Sequence, residues 1–245
     1  MNVAFVCGCP RSGTTALAAI LNEHPQLCIG VERYKHIAMG PRGAQFLPDL
    51  FTPERFVDIR PEDTNIVGHN RRLKKKFESK YEIKVIGEKT PRLYTRLPFL
   101  KANFPDAKLI FIFRDPYEVA LSWERRAENT ADNWPAANGR NQAVVEWVKS
   151  IDIVAKALPE WPDAVTIIDY ARFFGTANAT GLAANIEKLY GRLDVRMRPE
   201  NVLRIAQQYW RAPKPPAPPE DPEFQAALRD ALAFPAVETL RALAL

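Results

Sequence analysis

The chain has 245 residues, of which 47% are hydrophobic and 26% charged, with a formal net charge of +5. That length and balance fit a large soluble domain and exclude a disordered or fibrous chain. No run approaches the roughly 18 consecutive apolar residues of a membrane span, and three cysteines, Cys7, Cys9 and Cys28, exclude a disulfide framework.

The first element is a strand over Asn2–Cys7, short, apolar and ended by Gly8 and Pro10. A helix follows over Thr14–Glu23, with Leu17, Ile20 and Leu21 at helical spacing and Pro25 ending it. Residues 40–65 are rich in proline and poorly periodic, and read as an irregular excursion over the surface. The run Arg71, Arg72, Lys74, Lys75, Lys76 and Lys80 reads first as a solvated helix face and second as a docking patch for an acidic acceptor. A short strand over 84–87 leads to a helix over 91–103, with Thr90 as N-cap and Pro91 at its first position. Residues 107–113 are the clearest buried strand, and Asp115 then caps a helix over 117–128. A helix over 141–157, a strand over 164–168 and a helix over 181–190 complete the alternation. Six prolines in 213–222 mark an extended linker to a helical tail from Glu223 onward. Strands alternating with helices imply an α/β fold, a parallel central sheet flanked by helices. The whole chain, 1–245, is read as one domain.

The net positive charge suits a polyanionic partner. No aromatics interleave with the basic run, so nucleic acid is not expected, nor is a membrane. No charged, long apolar leader opens the sequence, and the expected location is cytoplasmic. Cys7 and Cys9 share one side of a strand, but a metal there would need further ligands, and only His24 and His36 are close in sequence. No metal is expected.

The segment Gly8-Cys9-Pro10-Arg11-Ser12-Gly13-Thr14-Thr15 has the spacing of the phosphate loop G-x-x-x-x-G-K-[ST], with Thr14 where the lysine belongs. It sits between a strand and a helix, where backbone N–H groups and the helix dipole both face a phosphate. The missing lysine serves a triphosphate poorly. Arg11 is the remaining cation, and Thr14 and Thr15 add hydroxyls. The loop therefore suits a phosphate that carries one further anionic group. A second motif, Ile112-Phe113-Arg114-Asp115-Pro116 with Ser122 eight residues after Arg114, places an Arg at the C-terminal end of the best strand, where α/β sheets bind ligands. An Arg and a Ser hydroxyl can together hold a terminal phosphate.

The two motifs together resemble sulfotransferases that use 3′-phosphoadenosine 5′-phosphosulfate (PAPS), over roughly residues 3–190. The resemblance implies a P-loop NTPase-like fold and a metal-free transfer. It assigns the 5′-phosphosulfate to Pro10, Arg11, Ser12, Gly13, Thr14 and Thr15, and the 3′-phosphate to Arg114 and Ser122. It implies that Tyr170, at the end of a strand, lies near the adenine; a core tyrosine is the other reading. Glu32, in Gly30-Val31-Glu32, resembles the base of the tyrosylprotein type, with His36 as the rival. As a base Glu32 would need its pKa raised by burial, whereas a salt bridge to Arg33 or Arg11 would make it structural. Lys89, in Gly87-Glu88-Lys89-Thr90-Pro91, resembles the lysine that holds the transferred group, and Arg11 completes the catalytic set. Trp123, Arg126, Trp134 and Trp147 are candidates for the acceptor pocket or for the core. The implied acceptor is a hydroxyl of a small molecule or carbohydrate. A small-molecule kinase on the same fold and a non-catalytic nucleotide-binding protein remain as alternatives.

Overall fold

Five parallel strands form one sheet in the order β2-β3-β1-β4-β5: β1 (Asn2–Cys7), β2 (Leu27–Val31), β3 (Val85–Lys89), β4 (Lys108–Phe113) and β5 (Val165–Asp169). The computed structural model describes residues 1–65, 71–79, 81–131, 133–211 and 221–245, with Arg71 described by its backbone alone. From β1 the chain moves to β2 and β3 on one side, then returns past β1 to β4 and β5 on the other. The chain therefore leaves β1 and β4 in opposite directions, the kind of strand-order reversal at whose C-terminal edge α/β sheets bind ligands.

The helices divide between the two faces. α1 (Thr14–Glu23), α9 (Ala179–Arg192) and α10 (Pro199–Tyr209) cover one face, where Leu17, Ile20, Ile186 and Ile205 meet Val6, Ile29, Ile110 and Ile168. The other face carries α5 (Leu97–Asn103), α6 (Pro116–Ala127), α7 (Arg140–Ala157) and the tail helices α11 (Pro222–Leu232) and α12 (Pro235–Leu243). α2 (Lys35–Met39), α3 (Pro53–Val57), α4 (Arg71–Phe77) and α8 (Tyr170–Phe174) are short connectors. No helix among the described residues is long and apolar enough to cross a membrane.

The expected α/β architecture is present, with four differences. β2 was not expected: a five-residue strand with Gly30 inside it carries little sequence signal. The helix expected over 91–103 is split into a 3-10 segment, Pro91–Arg96, and α5. Pro98 has no N–H to offer the carbonyl of Tyr94, so a continuous helix would lose a bond there. Thr90 does not cap with its side chain; its hydroxyl donates to Glu88 at 3.2 Å. Asp115 does cap α6, accepting from the N–H groups of Tyr117 and Glu118. Finally, residues 40–65 are not a surface excursion. Phe46, Leu50, Phe51 and Phe56 are buried, and Phe46 and Phe51 pack on Phe5 and Phe104 at 5.5–5.8 Å between ring centroids.

The basic run forms α4. Arg72, Lys74 and Lys75 are exposed, as a solvated face requires, but Lys76 donates to the carbonyls of His24 and Leu27 at 2.8 and 2.6 Å. Its burial lowers its pKa to about 8. Lys80 and most of the linker, residues 212–220, lie outside the described residues. The tail returns to the body: Asp221 pairs with Arg140 at 2.7 Å, Phe224 packs on Tyr117, and Leu245 N–H donates to Ile167 in the edge strand at 3.0 Å.

If 40–65 is core, truncating it is costly. Phe46→Ala is expected to lower the unfolding free energy by about 3–5 kcal/mol, read from urea denaturation.

Candidate active site

The loop after β1 is built to present backbone donors. Arg11 and Gly13 both have left-handed backbones, φ 78° and 98°, which turn the chain into α1. Gly13 occupies the N-cap position without a side-chain cap, so the first N–H groups of α1 have no side-chain cap competing for them. A Cβ at Gly13 would lie 2.7 Å from the Tyr170 ring. Ser12 is fully buried, and its Oγ has no hydrogen-bond partner among the described residues. An orphaned buried hydroxyl inside such a loop fits a phosphate group.

The two phosphate motifs are joined through space. Arg11 Nε donates to Ser122 Oγ at 2.9 Å across 111 residues. Trp123 Nε1 donates to the carbonyl of Pro10 at 2.8 Å, and Trp147 Nε1 to that of Arg114 at 2.8 Å. Both tryptophans are buried, so they belong to the core and fasten the loops; Trp134 packs edge-on to Trp123 at 4.9 Å under Arg126. Arg114 forms a two-point ion pair with Glu118 and lies 4.4 Å over the Tyr170 ring. Tyr170 opens α8, half-buried, between Arg114, Gly13 and Phe174. An anion at Arg114 would displace the Glu118 carboxylate, whereas the Ser122 hydroxyl accepts from Arg11 and keeps its own O–H to donate.

Beside this lies a charged pair. The β1–β3 register sets Lys89 level with Val6, two residues before the loop begins at Gly8, and Gly8 N–H donates to Pro91 at 2.9 Å. Lys89 is 1% exposed, and its Nζ lies 2.8 Å from Glu32 Oε1; Lys35 lies 3.0 Å from Glu32 Oε2. The alternative reading of Glu32 as a salt-bridge residue named Arg33 or Arg11 as its partner; the ion pairs it makes are with two lysines instead. Burial by itself raises the Glu32 pKa, but Lys89 and Lys35 outweigh it and hold the carboxyl below its ordinary range. The raised pKa expected of a base is absent in this state. His36 is exposed on α2.

Several residues near the site carried no sequence signal. Arg33 is buried and pairs with Asp63 at 2.9 Å, and Arg55 meets the same carboxylate at 2.6 Å. Glu88 is fully buried, and its Oε2 has no partner among the described residues. Burial lifts its pKa to about 8, so it is protonated near neutrality. Gly30 leaves it room, since a Cβ there would collide with Glu88 Oε2. Glu146 takes Arg92 at 2.9 Å and the Tyr94 hydroxyl beside Cys9. The three cysteines are free and buried, and no cluster of metal-ligating side chains occurs among the described residues.

A family model described as the sulfotransferase family matches residues 4–199. Nodulation protein NoeE of Sinorhizobium fredii (strain NBRC 101917 / NGR234) is 27% identical over 130 residues, 49% of this chain and 30% of that protein. The chain thus spans less than a third of that relative's length. The fold is similar to the sulfotransferase domain of the Synechococcus PCC 7002 olefin synthase, with a TM-score of 0.52 at 18% identity, over 99% of this chain and 94% of that one. It is similar to mouse sulfotransferase SULT7A1 complexed with PAP, with a TM-score of 0.58 at 15% identity, over 99% and 87%. At such identities the likeness is one of fold, and that fold is the P-loop-like sulfotransferase fold.

Glu88 gives a stability test with a defined sign. Its folded pKa is raised, so its contribution is fully present below the unfolded value and is lost as pH rises through about 8. The melting temperature of the wild type is expected to fall over that window more steeply than that of Glu88→Gln; parallel profiles would contradict a buried neutral Glu88.

Proposed function

We propose that this chain, which belongs to the sulfotransferase family, moves a sulfuryl group from PAPS to a hydroxyl of a small-molecule or carbohydrate acceptor. The observation that carries this reading is the Glu32–Lys89 pair at the end of β3, next to a phosphate loop that lacks the P-loop lysine. The PAP bound by the mouse relative of the same fold supports the donor. PAPS supplies the sulfuryl group and a phosphate leaving group.

The chain's own residues supply the rest. Backbone N–H groups of Arg11, Gly13, Thr14 and Thr15, in the turn that Pro10 opens, hold the 5′ end together with the Ser12, Thr14 and Thr15 hydroxyls. Arg114 and Ser122 hold the 3′-phosphate, and Tyr170, fixed between Gly13 and Arg114, offers its ring to the adenine. Glu32 accepts the proton of the acceptor hydroxyl as the O–S bond forms. The bond from sulfur to the donor phosphate breaks, and its electron pair stays on the phosphate. Arg11 and Lys89 neutralise that charge.

The lowered pKa of Glu32 fits this order of events. In the resting protein Lys89 keeps Glu32 ionised and ready to accept a proton. As Lys89 turns to the leaving phosphate it withdraws from Glu32, and burial then raises the carboxylate's basicity. One pair thus couples proton removal to leaving-group stabilisation.

Adenosine 3′,5′-bisphosphate is expected to raise the melting temperature, and ATP–Mg²⁺ is not; at 100 times Kd the stabilisation is about 2.7 kcal/mol. Stabilisation by ATP–Mg²⁺ alone would favour a kinase. Turnover measured with labelled PAPS against mixed hydroxyl acceptors identifies the acceptor. With it, Glu32→Gln is expected to lose about 10²-fold or more in kcat. Lys89→Ala is expected to lose more in turnover than in PAPS binding, and the reverse pattern removes Lys89 from the chemistry.

A further inference from the structure

Glu32 is one of four non-glycine residues with positive φ among those described, and its value is 52°. A left-handed glutamate persists only where its surroundings enforce it. The enforcement is visible atom by atom. Glu32 N–H donates to the carbonyl of Lys89 at 2.8 Å. The Thr64 hydroxyl donates to the Glu32 carbonyl, and Thr64 N–H to the Arg33 carbonyl at 2.8 Å. Tyr34 N–H donates to Glu88 Oε1 at 3.4 Å.

The anchor of this turn is the next side chain. Arg33 is buried and donates to Asp63 Oδ2 from Nε at 3.2 Å and from Nη2 at 2.9 Å. It also donates to the carbonyls of Phe56, Asp58 and Arg55. The Asp63 side chain is fully buried and takes Arg55 at 2.6 Å and Arg60 N–H at 3.1 Å as well. Arg33 lies over the rings of Phe56 at 4.7 Å and Tyr34 at 5.2 Å. The segment Arg55–Asp63 is thus pinned to residue 33, and Thr64, one residue after Asp63, closes on residue 32. Among the described residues Arg33, Asp63 and Arg55 make no hydrogen bond or ion pair to the phosphate loop or the Arg114 motif, and the reaction proposed above has no use for two buried guanidinium groups.

We propose that Arg33, fixed by Asp63 and Arg55, is a positioning residue: it holds the Glu32 turn in its left-handed form and so aims the Glu32 carboxylate at Lys89. The role given to that carboxylate rests on the reading of Glu32 as the base; the placement itself does not. The charged groups that face Glu32 are Lys89 from β3 and Lys35 from α2, with the buried Glu88 one residue back on β3.

The test uses the full chain, and its main readout needs no acceptor. The Glu32 carboxyl is titrated by carbon-13 NMR in wild type, Arg33→Lys and Thr64→Val, with Glu32→Gln assigning the resonance. Arg33→Lys keeps the charge and loses the planar fork, and Thr64→Val removes the hydroxyl on the Glu32 carbonyl without disturbing the buried charges. Binding of adenosine 3′,5′-bisphosphate is expected to change less than about twofold in both, since neither residue touches the donor loop. The Glu32 midpoint is expected to rise by about one pH unit as the carboxylate leaves Lys89, and kcat to fall about tenfold with KM for PAPS unchanged. If Arg33→Lys does not fold, Thr64→Val carries the same readout. A Glu32 midpoint that stays at its wild-type value in a folded variant overturns the proposal. A shifted midpoint with full turnover in Glu32→Gln keeps the placement and instead removes Glu32 as the base.

Discussion

A lysine ammonium at the end of a central strand, almost fully buried, is tolerable only with a carboxylate against it. Lys89 and Glu32, 2.8 Å apart, satisfy that constraint, and much of the site's shape follows from it. β3 lies between β1 and β2, so it is covered on both edges and both faces, and its last residue emerges beside the phosphate loop. For the carboxylate to arrive there from β2, the chain must turn sharply at residue 32. Its left-handed backbone and the clamp of Arg33, Asp63 and Arg55 are how this sequence makes that turn.

The half of the site proposed to hold the donor obeys a different constraint. Two loops about a hundred residues apart in sequence must keep a fixed separation if, as proposed, they grip the two ends of one ligand. The core does this with indole N–H groups: Trp123 holds Pro10 and Trp147 holds Arg114. Because these bonds run from helices α6 and α7 of the packed layer, the loops inherit the rigidity of the core. Their charged side chains are pre-paired within the protein, Arg11 with Ser122 and Arg114 with Glu118. Both arginines are ordered before any anion arrives, which limits the ordering cost of their long side chains on binding one.

How much of this was legible in the sequence differs by residue. The strand–loop–helix around Gly8–Thr15, the strand before Arg114 and the helix capped by Asp115 were legible because each is a local pattern: an apolar run, a turn residue, a cap. The aromatic cluster of Phe46 and Phe51 was not, since irregular segments lack a period to read, and burial there is set by the neighbouring Phe5 and Phe104. β2 was missed for the same lack of signal. The lowered pKa of Glu32 reverses the sequence-based requirement because it depends on which cations stand against it, and those come from β3 and α2.

By itself the sequence determined the α/β alternation, the glycine-rich loop after the first strand with its missing lysine, and the strand that ends at Arg114, because these are encoded over a few residues by sterics, periodicity and charge. Only the tertiary structure decided that Lys89 pairs with Glu32, that Ser122 pairs with Arg11, and that Arg33, Asp63 and Arg55 form one buried group. Those pairings span 57, 111 and up to 30 residues. Nothing local favours one such partner over another; packing against the sheet selects it by bringing each buried charge within reach of an opposite one.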